Sequence, residues 1–498
     1  MMRSVYAVLF VGALAVVTGC SKQGADVDKV KKDLTAELTY LAGPEGQKYL
    51  AFDGVDAVPD GDKVKVTIKG LKMLVPQSEP LVIGDVDMHA LAKGEDQYEI
   101  SDLQVPGKLT FKAPQGEFVI ETGSQAFSGT WSTKYHTFLS SDAKYGNMKV
   151  SGPATQGAVV DLAELAYKSS TEDKGNGLFD QTVSGTLKSM TIAGPEGSGV
   201  FSSGEFKSDV KGIKLADMQA FARDWQSMIM AAGEGKPADP ALTGRMKGYL
   251  GLLASLAMHA DLAGVSFKDA GGSQSFSLDH LTIDGGGSAL DQPKAATTFD
   301  LGLLGIKVDA AKLGPEVAQY ASFIPGTVKF GYALDDLPAK ELWSAWVDLM
   351  ASGAFQPGNE TASEPALQGF GMQLVQLASQ AGSVFRLTNL ELEAPAAHLK
   401  MDGKIKSEAT SPLGAAGTAN IEVTGLDAIA DAAKQAVPPE NAASTSGAFD
   451  MVRGFSNRTT AADNKVVDRY AIELTPEGKM TINGKPFDMF GAMTGAPQ

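Results

Sequence analysis

Serine, histidine and paired carboxylates are the residues with which this 498-residue chain could carry out nucleophilic or acid–base chemistry. Ser141 and Lys144 form a Ser-x-x-Lys pair, the spacing of a nucleophile and its base, but the motifs that accompany it in such enzymes are missing. The five histidines (His89, His136, His259, His280 and His398) are scattered singly, with no local metal-ligand spacing. His280 falls between two apolar strand positions and is expected to face solvent, and His259 is expected at a helix end, where a positive charge suits the dipole. Asp85-x-Asp87 and Glu391-x-Glu393 are alternate residues on strands, so each pair shares a face. That face is either simply solvated or a surface cation site, and the second needs more oxygen ligands than these. GxSxG, HExxH and a P-loop are all missing, and Gly175-x-Gly177 lacks the third glycine of a dinucleotide turn. The reading is a non-enzymatic protein with no catalytic residues, no metal ligands and no cofactor.

Cys20 calls for different chemistry. It is the only cysteine, and it follows Arg3, an apolar run from Val5 to Val17, and Val17-Thr18-Gly19. This order of a basic residue, a short apolar stretch and small residues is that of a secretory leader, and the run is too short for a membrane span of about 20 residues. Val17-Thr18-Gly19-Cys20 resembles the lipobox of bacterial lipoproteins, which implies cleavage before Cys20 and diacylglyceryl attachment to its thiol. Stable anchoring takes more than one acyl chain, at about 0.8 kcal/mol per buried CH₂. Ser21 and Lys22 lack the aspartate of an inner-membrane retention signal, so the expected location is the periplasmic face of the envelope, at the outer rather than the inner membrane.

Composition narrows the partners. The formal charge of −16 argues against nucleic acid. With Cys20 spent on the anchor, disulfides and thiolate metal sites are excluded. Tyr249 to Met258, the most hydrophobic stretch after the leader, has about half the length of a span.

The elements behind these residues are read from spacing. Five segments repeat apolar-x-x-apolar-x-apolar: Ile68/Leu71/Met73, Ile100/Leu103/Val105, Leu187/Met190/Ile192, Leu278/Leu281/Ile283 and Leu387/Leu390/Leu392. Strict alternation lacks the extra residue between the first two positions, so each segment predicts a strand with a β-bulge. Gly212-Ile213-Lys214 lies 22 residues after Met190 and Gly305-Ile306-Lys307 lies 24 after Leu281, each leading into a helical pattern; Gly425-Leu426-Asp427 is a looser copy. Leu215, Met218, Ala222, Trp225 and Ile229 predict one helix, and Asp239-Pro240 opens a second through Leu242, Met246, Leu250, Leu253 and Leu256. Asp336-Leu337-Pro338 opens a third with Leu342, Trp346 and Leu349, and a fourth carries Leu367, Phe370, Leu374 and Leu377. Asp60-Gly61 marks a hairpin, and linkers are read at Gly353 to Pro365 and Val437 to Gly447. The predicted fold class is α+β: an extended, curved antiparallel β-sheet of degenerate repeats with helix pairs packed on one side. Its divisions are a leader (1–19), a lipidated tether (20–28), a strand-rich region (29–180), and repeat units at 181–275, 276–383 and 384–498, the last ending in a β-hairpin.

The bulged strands, the Gly-Ile-Lys marker and the ending Tyr470-Ala-Ile-Glu-Leu with Gly478-Lys-Met-Thr-Ile-Asn483-Gly484-Lys-Pro-Phe487 resemble the YdgA-like family of bacterial envelope proteins. The resemblance implies an envelope location and a β-rich fold, but no reaction. The chain departs from that family in carrying a lipobox in place of an uncleaved membrane helix.

Two functions fit this reading. In the first, the sheet and helices line an apolar groove for a lipid or another amphiphile, with Trp225, Leu250, Leu253, Trp343, Trp346 and Leu374 as lining residues. In the second, the protein is an assembly lipoprotein that binds another envelope protein through its acidic face or an open sheet edge. Partners are then the membrane, through the anchor, and a lipid ligand or envelope protein.

Overall fold

The computed structural model describes residues 26–43, 50–74, 79–113, 116–233, 239–271, 274–309, 314, 318–352, 360–408, 410–438, 441–461 and 464–487. The chain is of the α+β class, with an extended antiparallel sheet and seven α-helices among the described residues. Contacts divide it into two compact units, one ending at Leu256 and including Trp346–Leu367, the other formed by Ala257–Ala345 and Gln368–Gln498.

The first unit opens with helix α1 (Val27–Ala42), whose N-cap Asp26 accepts the Lys29 backbone N–H at 3.0 Å. Val30, Leu34, Leu38 and Ala42 recur every fourth residue and are all buried. They close the core over Val64, Val66, Ile68, Met88 and Ile100 of the first strands, several of which have no accessible surface. The Asp60-Gly61 hairpin is present, pairing Gly54–Asp60 with Lys63–Met73. Five long strands follow, Gly116–Ser132, Thr137–Ser151, Val159–Gly175, Leu178–Gly194 and Gly197–Lys214, each antiparallel to the next. Strand structure thus extends past residue 180 to Lys214. Asn176-Gly177 forms the two-residue turn between Gly175 and Leu178, with φ of 56° and 76°.

All five spaced segments are strands, and three carry the expected bulge. Register shifts fall between Ile68 and Leu71, opposite Asp102–Leu103, and between Leu387 and Leu390. In the other two, the register toward the described partners is unbroken. Ser189 takes φ 46° while its neighbours Lys188 and Met190 keep a common register with both flanking strands. Asn147, in the same cross-strand row, is also left-handed (φ 52°), so the strands kink together and no extra residue is needed. The kink exchanges the faces: Ile120 before it and Phe127 after it meet the same core, although their parities differ. In Leu278/Leu281 the irregular residue is on the partner, Gly305 (φ 68°).

Helix α2 (Leu215–Gly233) begins directly after Gly212-Ile213-Lys214, as expected. Helix α3 (Pro240–Gly248) is capped by Asp239, whose side chain accepts the Ala241 N–H at 3.0 Å, but it stops at Gly248. Gly251 turns the chain with φ 80°, and Ser255–Asp269 is a strand, so Leu256 and His259 are strand residues. Two glycines in four residues ended a helix that apolar spacing alone would have continued.

In the second unit, Gln274–Ser288, Lys294–Leu304, Thr327–Pro338, Val384–Glu393, His398–Ser407, Ala415–Thr424 and Val466–Leu474 pair antiparallel in that order. Helix α4 (Ala339–Ala351) follows Pro338, and α5 (Glu360–Ala381) contains Pro365 in its early turns. The linker expected at Gly353 to Pro365 therefore ends by residue 360, with 353–359 outside the described residues. Helices α6 (Leu426–Ala436) and α7 (Ala442–Phe455) flank Pro438, so helix replaces the linker expected through Gly447. The terminal hairpin is present as Met480–Ile482 with Lys485–Phe487. Asn483 ties it down: Oδ1 accepts the Ala471 N–H at 2.8 Å, while Nδ2 donates to Phe455 and Arg469 carbonyls.

Candidate functional site: an open apolar sheet face

Antiparallel pairing aligns the side chains of the second unit into rows across seven strands. One row runs Ile283, Leu301, Phe330, Leu390, Met401, Ile421 and Tyr470. At about 4.8 Å between strands it is about 29 Å long. A flanking row contains Phe299, Tyr332, Leu387, Ala419 and Ile472, and the next contains Leu334, Phe385, Ile405 and Leu474. On the other flank lie Leu281, Leu303, Val328, Leu392, Leu399 and Val423. Tyr332 stacks on Phe385 with centroids 6.1 Å apart and packs beside Phe299 and Phe330.

These rows carry no charge until the end strand, where Asp468 is buried and its Oδ1 accepts the Ser456 hydroxyl at 2.8 Å. Burial, with Asp468 adding to it, pushes the neighbouring Tyr470 phenol up. Elsewhere the face is incompletely covered. Ile405 keeps 51% of its surface, Ile283 and Phe385 39% each, and the other apolar side chains named, Tyr470 apart, are half-buried. In the first unit, by contrast, α1 brings the facing strand residues close to zero exposure.

The opposite face has the reverse character. Glu391 accepts Lys329 Nζ at 2.9 Å and lies 3.0 Å from His398 Nε2 and 3.4 Å from Lys400 Nζ. The Lys329 hydrogen bond, with help from His398 and Lys400, holds the Glu391 carboxyl down at about 2. Arg469 bonds Glu422 at 2.8 Å in the same row. One side of the sheet is thus a charge ladder and the other is hydrocarbon.

The remaining chemistry-bearing residues are used up locally. Ser141 is buried and shares a 2.6 Å hydrogen bond with Ser169, whereas Lys144 pairs with Glu164 at 2.6 Å. Three residues apart on a strand, they point to opposite faces and cannot act together. Asp85 accepts the Gly70 N–H at 2.8 Å and Asp87 accepts the Thr67 hydroxyl, so neither is left for a cation. Every histidine sits against a carboxylate: His89 on Asp60, His136 on Glu37, His259 on Asp284, His280 on Asp261 and His398 on Glu391. Among the described residues, no group of three or more His, Cys, Asp or Glu is placed to hold a metal.

The six residues expected to line a groove are divided between the units. In the first unit Trp225 stacks on Phe221, Phe221 meets Tyr249 edge-on, and Leu253 packs on Phe179, Ile213 and Leu215; Leu250 and Trp346 are half-buried. Trp343 and Leu374 belong to the second unit and are also half-buried. The sequence reading therefore looked to the helices, whereas the open surface is on the strands. Its signal was available in the alternation Val328-x-Phe330-x-Tyr332 and Leu399-x-Met401. Cys20 lies outside the described residues, and no described helix is long and apolar enough to cross a membrane. Searches against family models, curated proteins and solved structures find no match for this chain.

Proposed function

We propose that the protein is an envelope lipoprotein, anchored through Cys20, that holds a lipid or similar amphiphile by its hydrocarbon on the open sheet face of the second unit. The observation that carries this reading is a charge-free apolar face about 29 Å wide in which Ile405, Ile283 and Phe385 remain exposed. Soluble monomers seldom leave contiguous apolar patches of more than a few hundred Å² uncovered. Covering each such side chain contributes about 0.5–1 kcal/mol, since full burial of one is worth about 1.5–3 kcal/mol. Several acting together suffice to retain an acyl chain. Aromatic and Met side chains suit a variable hydrocarbon, and the proposed reading needs no catalytic residue. Native mass spectrometry of the protein purified from membranes tests it. Co-purifying lipid is expected, and Phe385→Glu/Ile405→Glu, both at exposed positions, should reduce it about ten-fold. Wild-type protein free of lipid and unable to take up a fluorescent fatty acid would overturn the proposal.

A further inference from the structure

Helix α5 (Glu360–Ala381) carries Met372 and Val375 at 71% and 72% exposure, well above the other exposed large apolar residues of the described structure. From Ala366 to Ala381 the helix has no charged residue, although the whole chain carries −16. Its inner face is Phe370, Leu374 and Leu377, all half-buried; its outer face sets Met372 and Val375 among Gln368, Gln373, Gln376 and Gln380. Exposed apolar residues on other helices lie beside charge: Met451 and Val452 are next to Asp450 and Arg453, which pair with each other at 2.9 Å.

We propose that the outer face of α5 is a membrane-contact surface that dips Met372 and Val375 into the interface of a zwitterionic phospholipid bilayer. An interfacial helix binds through its buried apolar area and, where it is basic, through attraction to anionic lipid. Here the second contribution is missing, and the rest of the acidic chain is repelled by an anionic surface. A neutral surface is therefore the one that this face fits. Glutamine, polar and uncharged, can remain at headgroup level while the apolar side chains enter the acyl boundary. Binding that rests on apolar burial alone depends on lipid packing and not on salt.

The single native cysteine makes the test direct. If Cys20 is acylated, Val375→Cys supplies the one free thiol for an environment-sensitive fluorophore, with Lys404→Cys on the charged sheet face as control. The full lipidated chain is reconstituted on phosphatidylcholine vesicles. The label at residue 375 is expected to shift blue and to be quenched by nitroxide lipids several-fold more than the label at 404. The effect should be stronger on small, highly curved vesicles and unchanged by added salt. Equal quenching at the two positions overturns the proposal. So does a blue shift that appears without vesicles and grows with protein concentration, because that outcome assigns the face to a second copy of the chain. Ile405→Glu should leave the signal intact, so failure of lipid retention on the sheet and failure of membrane contact by α5 are separately visible.

Discussion

Glu391 shows how far a single residue departs from its sequence appearance. As one of two alternate acidic residues it suggested a solvated strand face or a cation site, yet it sits beneath two lysines and a histidine on adjacent strands. Its carboxyl is held at about 2 against an ordinary 4.5, so it favours the folded state wherever it is ionised. That contribution is fully present above about pH 4.5 and is lost as pH falls toward about 2. Glu391→Gln should cost about 1–2 kcal/mol at pH 7, and in urea titrations its difference from wild type should shrink steadily between pH 4.5 and the acid limit of folding. A difference that is constant with pH would show that packing and not charge is at work. The ion pairs of Glu391 join residues 62 and 9 positions apart, which no local pattern reports.

At the scale of elements, the Gly-Ile-Lys marker proves to be half of a corner whose other half is an aspartate on the neighbouring strand. Gly212 donates its N–H to Asp180 at 3.0 Å, and Gly305 lies opposite Asp279, which Lys307 bonds at 2.9 Å. Gly70-Leu71-Lys72 is a further copy: Lys72 pairs with Asp53 at 3.3 Å, and a Cβ on Gly70 would fall 2.0 Å from the Asp53 carboxylate. Gly70, Gly212 and Gly305 all have left-handed φ, between 57° and 68°. That copy went unread because a strand and not a helix precedes and contains it. Gly70→Ala should destabilise by about 2–3 kcal/mol, combining left-handed strain of about 1–2 kcal/mol with displacement of Asp53. Gly61→Ala, left-handed (φ 62°) but with nothing within 4 Å, should cost only the strain. Equal losses in thermal unfolding would refute the corner as a shared contact.

At the scale of the whole molecule, attachment and binding are separate properties. Cys20→Ala should move the protein from the membrane fraction to the soluble fraction without changing its unfolding transition, because contact through one helix face is marginal by itself, as a single acyl chain is. A mature variant that stays fully membrane-bound would remove the anchor from the proposal. Strand order, the α+β class, the helix starts at Leu215 and Pro240 and the terminal hairpin were all legible, because alternation, caps and turn residues act over a few positions. The end of α3 at Gly248 and the replacement of an expected linker by α7 were less so, since apolar spacing and Pro/Ser composition are weaker than the glycines and contacts that decided them. What the amino-acid order determined by itself is which strand residues are apolar, which are charged and where the alternation is reset. Only the tertiary structure decided what happens to those faces. In the first unit Leu34 and Leu38 arrive from α1 and close the core, while in the second Phe385 and Ile405 meet no such cover. The reason is physical: amphipathic patterning specifies a face that leaves water, but whether a helix or a ligand completes it depends on residues brought together from distant parts of the chain.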